Sequence, residues 1–228
     1  MFNDHSTPTL VFLQIHLGGD RNFCYLVGDR KSGRAIAVDP GFDAAGFNAI
    51  ATRQQLKISQ ILITHEHSDH LEQAESLARL TDATIHLGAD NVVPGASILT
   101  DAQVFELGAY KVEALATPGH SPGHFCFLCD GRLITGDLLF CGKIGGTGSY
   151  FPGSSPEQQY ASLEKILQLP EATFVFPGHD YFGGEGSMPH SSIGYEKKNN
   201  PFLMVEDFAS FCHLKDNWAA YKKEHGVR

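Results

Sequence analysis

Hydrophobic positions run in two periods along this chain, and the changes of period mark its elements. Residues 9–17, 22–27 and 34–38 are rich in β-branched and aromatic side chains. Gly18-Gly19-Asp20 separates the first two, the stretch from Gly28 to Gly33 turns the chain back, and Asp39-Pro40-Gly41 closes the third. That punctuation predicts three strands of an antiparallel meander. From Phe42 the period lengthens: Phe42, Ala45, Ala49 and Ile50 approximate one face of a helix running to about Leu56. The apolar run Gln60-Ile61-Leu62-Ile63 reads as a buried strand. Leu71, Ala74, Leu77, Ala78 and Leu80 return to helical spacing, with Ser68 or Asp69 placed to cap that helix, and 84–87 is a further strand.

The second half repeats the order. Residues 103–107 and 111–116 alternate as strands, and 125–129 and 132–135 form a hairpin around Asp130-Gly131. Residues 156–169 carry Tyr160, Leu163, Ile166 and Leu167 on one helical face, and 173–176 is a last strand. The tail from about 201 to 224 reads as helical, with Phe202, Val205, Phe208, Ala209 and Phe211 apolar. Strands then helix, twice over, predict two sheets packed face to face with helices outside. No low-complexity linker interrupts residues 1–228, which read as one α/β domain with a short helical C-terminal tail.

Composition narrows the partners. A formal net charge of -9 disfavours nucleic acid, whose recognition needs a basic surface. No apolar run reaches transmembrane length, so no membrane partner is expected. Met1-Phe2-Asn3-Asp4-His5 has no basic region followed by an apolar stretch, which reads as the absence of an export signal. Five cysteines, Cys24, Cys126, Cys129, Cys141 and Cys212, then point to reduced thiols in a cytoplasmic protein. Cys126-Phe-Leu-Cys129 lies in an apolar strand with no second pair and reads as two core thiols. Histidine is abundant, at 12 residues.

Most of the chemistry gathers at Thr64-His65-Glu66-His67-Ser68-Asp69-His70, directly after a buried strand. On extended chain His65 and His67 point the same way and converge on one point. Asp69 and His70 fall where a helix should begin and face a second point nearby. Imidazole with carboxylate suits zinc, iron or manganese and argues against calcium. Further ligand types close later strands on glycine-containing turns: His120 in Thr117-Pro118-Gly119-His120, Asp137 in Thr135-Gly136-Asp137, and His179 in Pro177-Gly178-His179-Asp180. His5, His16, His86, His190, His213 and His225 sit in no such motif.

As a set, the His65-x-His67-x-Asp69-His70 stretch, His120, Asp137 and His179 resemble the metallo-β-lactamase fold superfamily. The resemblance runs from about Leu10 to Leu203 and implies an αββα sandwich with its site at one edge. It implies that His65, His67 and His120 bind one metal, that Asp69, His70 and His179 bind a second, and that Asp137 bridges them. Residues 117–124, 136–145, 192–196 and 200–202 are most similar to glyoxalase II-like thioester hydrolases. Persulfide dioxygenases share the Pro-Gly-His-Asp-Tyr of 177–181 and imply instead one iron on His65, His120 and Asp137. The chain departs from both groups where Gly145-Gly146-Thr147-Gly148 stands for their Gly-Arg-Thr-Asp, and the short tail after Pro201 is expected to supply at most part of the long helical C-terminal domain of glyoxalase II.

The expected activity is hydrolysis of a hydroxyacylglutathione-type thioester by a water activated between two divalent metals (Zn, Fe or Mn). The thiolate leaves readily because a thiol pKa is only about 8.5. No serine or cysteine nucleophile is needed for this chemistry. Asp69 is either a plain ligand or also orients the water. His124 is structural or hydrogen-bonds a ligand. Lys143 meets an anionic group of the substrate or is a solvated loop lysine, and Tyr181 lines the pocket or packs the core. The alternative activity is an iron persulfide dioxygenase acting on glutathione persulfide. A secreted β-lactamase, a nuclease and a non-enzymatic metal-binding module fit less well, the last because no ligand position is lost. The partner is a small thioester or thiol-derived molecule, and the chain is expected to be a monomer or homodimer.

Overall fold

The meander opens with an unanticipated edge strand: β1 (Phe2–Asp4), β2 (Leu10–Ile15), β3 (Cys24–Asp29) and β4 (Arg34–Val38) pair antiparallel in chain order. In this computed structural model, which describes residues 2–19, 21–90, 92–181 and 189–226, the sheet then changes direction. Helix α1 (Ala44–Arg53) carries the chain across, so β5 (Lys57–Leu62) lies parallel to β4. The short α2 (Ser68–Leu71) and α3 (Ala74–Thr81) lead to β6 (Thr84–Leu87) and β7 (Ser97–Ile98), also parallel. The sheet has seven strands in the order β1 to β7.

Strands β8 (Gln103–Leu107), β9 (Tyr110–Ala116), β10 (Phe125–Cys129) and β11 (Arg132–Gly136) form a second antiparallel meander. A two-stranded ribbon follows, β12 (Leu139–Phe140) with β13 (Lys143–Ile144). Helix α4 (Pro156–Ile166) then crosses to β14 (Phe174–Pro177), parallel to β11, and β15 (Ser191–Ser192) closes the edge.

Alternation along the strands makes three apolar layers. From β2, Leu10 and Phe12 face the other sheet while Val11, Leu13 and Ile15 face α1 and α3, so every residue of this strand is buried. Between the sheets, Phe12, Tyr25 and Leu62 meet Phe105, Phe127, Ile134 and Phe176. Each such side chain contributes about 1.5–3 kcal/mol by leaving water. On the outer face of the second sheet, Leu133 and Val175 pack against Leu163 and Ile166 of α4. The architecture is the expected αββα sandwich.

Several boundaries move. Gln55 takes φ 59, so the first helix stops at Arg53 instead of Leu56. The helix expected through Leu71 to Leu80 is split into α2, preceded by His67, and α3, preceded by Gln73, neither with a side-chain cap bond; Ser68 and Asp69 lie inside α2, and the Asp69 carboxylate turns toward Asn22 and His179. The tail is broken into a 3-10 turn (Pro201–Leu203), α6 (Phe208–Asp216) and α7 (Trp218–His225), preceded by α5 (Ile193–Asn199), which its polar sequence hid. Phe202 and Phe211 anchor this tail in the outer layer.

Strand direction decides where the chemistry lies. The ends of β5, β11 and β14 and the β9–β10 turn all reach the same edge of the sandwich, bringing residues from 65 to 179 together.

Candidate metal centre

The 63–70 segment leaves β5 through bends at Thr64, His65 and Glu66. The convergence of His65 and His67 is therefore made by a turn, not by the strand alternation expected from the sequence. Their facing atoms, His65 Nε2 and His67 Nδ1, are 2.9 Å apart, and His120 Nε2 lies 3.1 Å from the same His67 nitrogen. One helical turn of α2 aims Asp69 and His70 at a second point. There His70 Nε2 is 3.3 Å from His179 Nε2 and 3.6 Å from Asp69 Oδ2, and His179 Nε2 is 3.3 Å from that oxygen. Asp137 lies between the groups: Oδ1 is 3.4 Å from His70 Nε2, and Oδ2 is 3.4 Å from His179 Nε2 and 3.7 Å from His120 Nε2. All seven sequence-expected metal positions thus meet at one place.

Close backbone approach makes this packing possible. A Cβ on Gly41 would sit 1.8 Å from Asp69 O, one on Gly178 2.4 Å from Asp137 Oδ1, and one on Gly145 1.8 Å from Asp137 O. The Asn22–His179 bridge and the Gly178 N–H bond to Gly136 O (2.8 Å) set the position of His179.

Hydrogen bonds behind the rings assign their tautomers. Asp39, buried, accepts from Thr64 N (2.7 Å), Thr64 Oγ1 (2.6 Å) and His70 Nδ1 (2.9 Å). Because the Thr64 hydroxyl donates to Asp39, it accepts from His65 Nδ1 at 3.0 Å. His120 Nδ1 donates to Gly146 O at 2.7 Å. In the neutral rings the proton therefore sits on Nδ1, and the Nε2 lone pairs of His65, His70 and His120 all point inward. Asp137 Oδ1 is buried among them without a hydrogen-bond partner. Inward lone pairs and carboxylates repel one another unless a cation sits between them, so this donor set fits divalent metal. Three clusters could each hold an ion: His65, His67 and His120; His65, His70 and Asp137; Asp69, His70 and His179.

The charge states agree. Burial pushes His65 and His120 well toward the neutral ring. Burial also opposes ionisation of Asp137, but His70 and His179 outweigh it and hold the carboxyl well below its usual range. Burial acts likewise on Asp69, where hydrogen bonding from His179 and the neighbouring His70 prevail. His70 moves up, because Asp137 and Asp39 overcome its burial.

Lys143 and Tyr181 both reach the centre's surroundings. Lys143 Nζ lies 3.4 Å from the Tyr181 ring centroid, and Tyr181 stacks on His179 at 5.2 Å. Burial, with Lys222 nearby, lowers the lysine to about 8. His124 stacks on His65 at 5.4 Å and bonds Thr117 Oγ1 at 2.9 Å, so it supports a candidate ligand by ring contact and does not hydrogen-bond one. Sequence reasoning missed Asp39, Thr64 and Asn22, which donates to Asp69 Oδ2 at 2.8 Å. It also missed Phe151, whose ring lies 4.9 Å from that of His120. The Asp39-Pro40-Gly41 strand end was their one visible signal.

A family model described as the metallo-beta-lactamase superfamily matches residues 17–96 and 91–179. The chain belongs to the metallo-beta-lactamase superfamily. Among superfamily members, a hydroxyacylglutathione hydrolase of Alkalilimnicola ehrlichii is 42% identical over 163 residues, 70% of this chain and 62% of that protein. The match thus spans less than two thirds of that relative. A probable polyketide biosynthesis zinc-dependent hydrolase of Bacillus velezensis is 30% identical over 86% of this chain and 87% of its own. The crystal structure of ETHE1 from Myxococcus xanthus superposes with a TM-score of 0.81 at 29% identity, covering 91% of this chain and 90% of that one.

Proposed function

We propose that this chain is a metallohydrolase cleaving a thioester of the hydroxyacylglutathione type. In this reading His65, His67 and His120 would hold one divalent ion, Asp69, His70 and His179 would hold a second, and Asp137 would reach both. The observation that carries it is the position of Asp137, within 3.7 Å of His120 on one side and 3.4 Å of His70 and His179 on the other. Divalent ions held there would supply a water of lowered pKa and would polarise a carbonyl.

The chain's own residues do the rest. Asp39 and Thr64 hold the rings of His70 and His65 with their lone pairs inward. The Asp69 side chain is 37% exposed while that of His70 is 1% exposed, so Asp69 is the carboxylate that meets incoming solvent and orients the attacking water. Phe151, beside His67 and His120, offers an apolar wall to the acyl group. Lys143 on its aromatic platform takes an anionic group of the substrate, with Tyr181 fixing the ammonium. The tail, through Phe202 and Phe211, packs on the outer face of the second sheet.

A mononuclear iron site on His65, His120 and Asp137 is the rival. It would leave His67, Asp69, His70 and His179 facing inward with no ion to meet. Metal content, hydrolysis of S-D-lactoylglutathione and oxygen uptake with glutathione persulfide decide between them. About two metals per chain with thioester cleavage and no oxygen uptake is expected; one iron with oxygen uptake overturns the reading.

A further inference from the structure

Helix α4 and the tail helix α6 meet behind His120, and the polar contacts there have no role in the proposed reaction. Gln159 of α4 is fully buried. Its Nε2 donates to Gly145 O at 2.9 Å, and its Oε1 accepts from Lys215 Nζ of α6 at 2.6 Å. Lysine can only donate, so the amide orientation follows from the network itself. Lys215 also reaches Gly145 O at 3.4 Å. The next carbonyl, Gly146 O, takes the His120 ring proton.

The same glutamine also packs against the turn that precedes His120. Gly119, immediately before it, has φ +145, and a Cβ there would lie 2.3 Å from Gln159 Cα and N. Ser155 N donates to Gly119 O at 2.8 Å, and Ser162 Oγ donates to Pro118 O at 2.7 Å. One face of α4 therefore holds both the turn that presents the His120 backbone and the loop that accepts its ring proton. Lys215 ties that face to the tail.

We infer that Gln159 and Lys215 are positioning residues for His120, so that docking of the C-terminal helix α6 sets the ring orientation at one half of the metal centre. The inference concerns metal binding alone and is independent of the bond the enzyme cleaves. A buried amide with both ends paired across two segments fixes their separation, and loss of either end frees the 145–146 loop.

The test is a cobalt(II) titration of metal-depleted protein, resolving two binding steps and the visible d–d bands, for Lys215→Met, Gln159→Leu and Lys215→Arg. In Lys215→Met and Gln159→Leu one step is expected to weaken about tenfold, with altered d–d intensity, and the other to stay unchanged. Lys215→Arg, which retains a donor to Gln159, is expected to restore the weakened step. Two wild-type steps with wild-type spectra in Lys215→Met overturn the inference. So does equal weakening of both steps, or a loss of thermal stability in the metal-depleted protein with cobalt binding unchanged. Should Gln159→Leu fail to fold, Lys215→Met decides the matter, because that side chain is only partly buried.

Discussion

Replacing Asp39 with Asn isolates what the support behind a candidate ligand is worth. Asp39 has φ 51, a left-handed conformation that Asn tolerates, so the change adds little backbone strain. The Asn carbonyl keeps the Thr64 N–H, and the Thr64 hydroxyl can rotate to a new partner. His70 cannot adapt so easily. Its Nδ1–H, 2.9 Å from Oδ2, then faces an amide N–H. The ring must give up that bond or move its proton to Nε2, where it points into the centre. One hydrogen bond to a buried charge is lost, about 1.5–3 kcal/mol of stability in the metal-depleted protein. The step assigned to Asp69, His70 and His179 is expected to weaken about 10–100-fold, equivalent to about 1.4–2.7 kcal/mol. Urea denaturation of the metal-depleted form measures the first quantity, and chelator competition with zinc measures the second. The reasoning is refuted if the variant binds both ions as tightly as wild type. It is equally refuted if the step assigned to His65, His67 and His120 weakens more than the other, since Asp39 bonds His70 directly and reaches His65 only through Thr64.

His65→Ala and Asp137→Ala are each expected to lower thioesterase activity by at least about a thousandfold, with the far-UV circular dichroism unchanged; retained activity in either removes that residue from the centre. Burial holds His65 and His124 neutral, His124 down to about 3, whereas the unfolded chain takes those protons near about 6.5. The metal-depleted protein therefore loses stability as pH falls from about 6.5 toward 3, and the depressed Asp137 and Asp69 add a further loss below about 3.9. His70 runs the other way, since its raised value contributes fully below about 6.5 and is lost as pH rises through it. A urea midpoint that stays flat between pH 6.5 and 4 contradicts this balance. Cys126 and Cys129, both buried and pushed up to about 12, should resist a thiol reagent in native protein while the partly exposed Cys212 reacts. Native labelling counted by mass spectrometry checks this.

The sequence alone exposed most of the strand–helix order, though not β1 or α5, together with the αββα class and the seven candidate ligands. Those ligand types close strands on glycine turns or cluster within six residues, so local pattern exposes them. It also read Cys126-x-x-Cys129 as two core thiols, because the pair lies in an apolar strand with no second pair; both are buried, one on each face of β10. Only the tertiary structure decided what holds the ligands in place. Asp39 supports His70 across 31 residues, Asn22 meets Asp69 across 47, and Lys215 meets Gln159 across 56. Each is a common polar residue whose role comes from a partner brought near by folding, and a hydrogen bond between distant segments leaves no periodicity in either. The bend at 64–66 is of the same kind: its geometry follows from the bonds of Thr64 to Asp39, not from the residues of the bend.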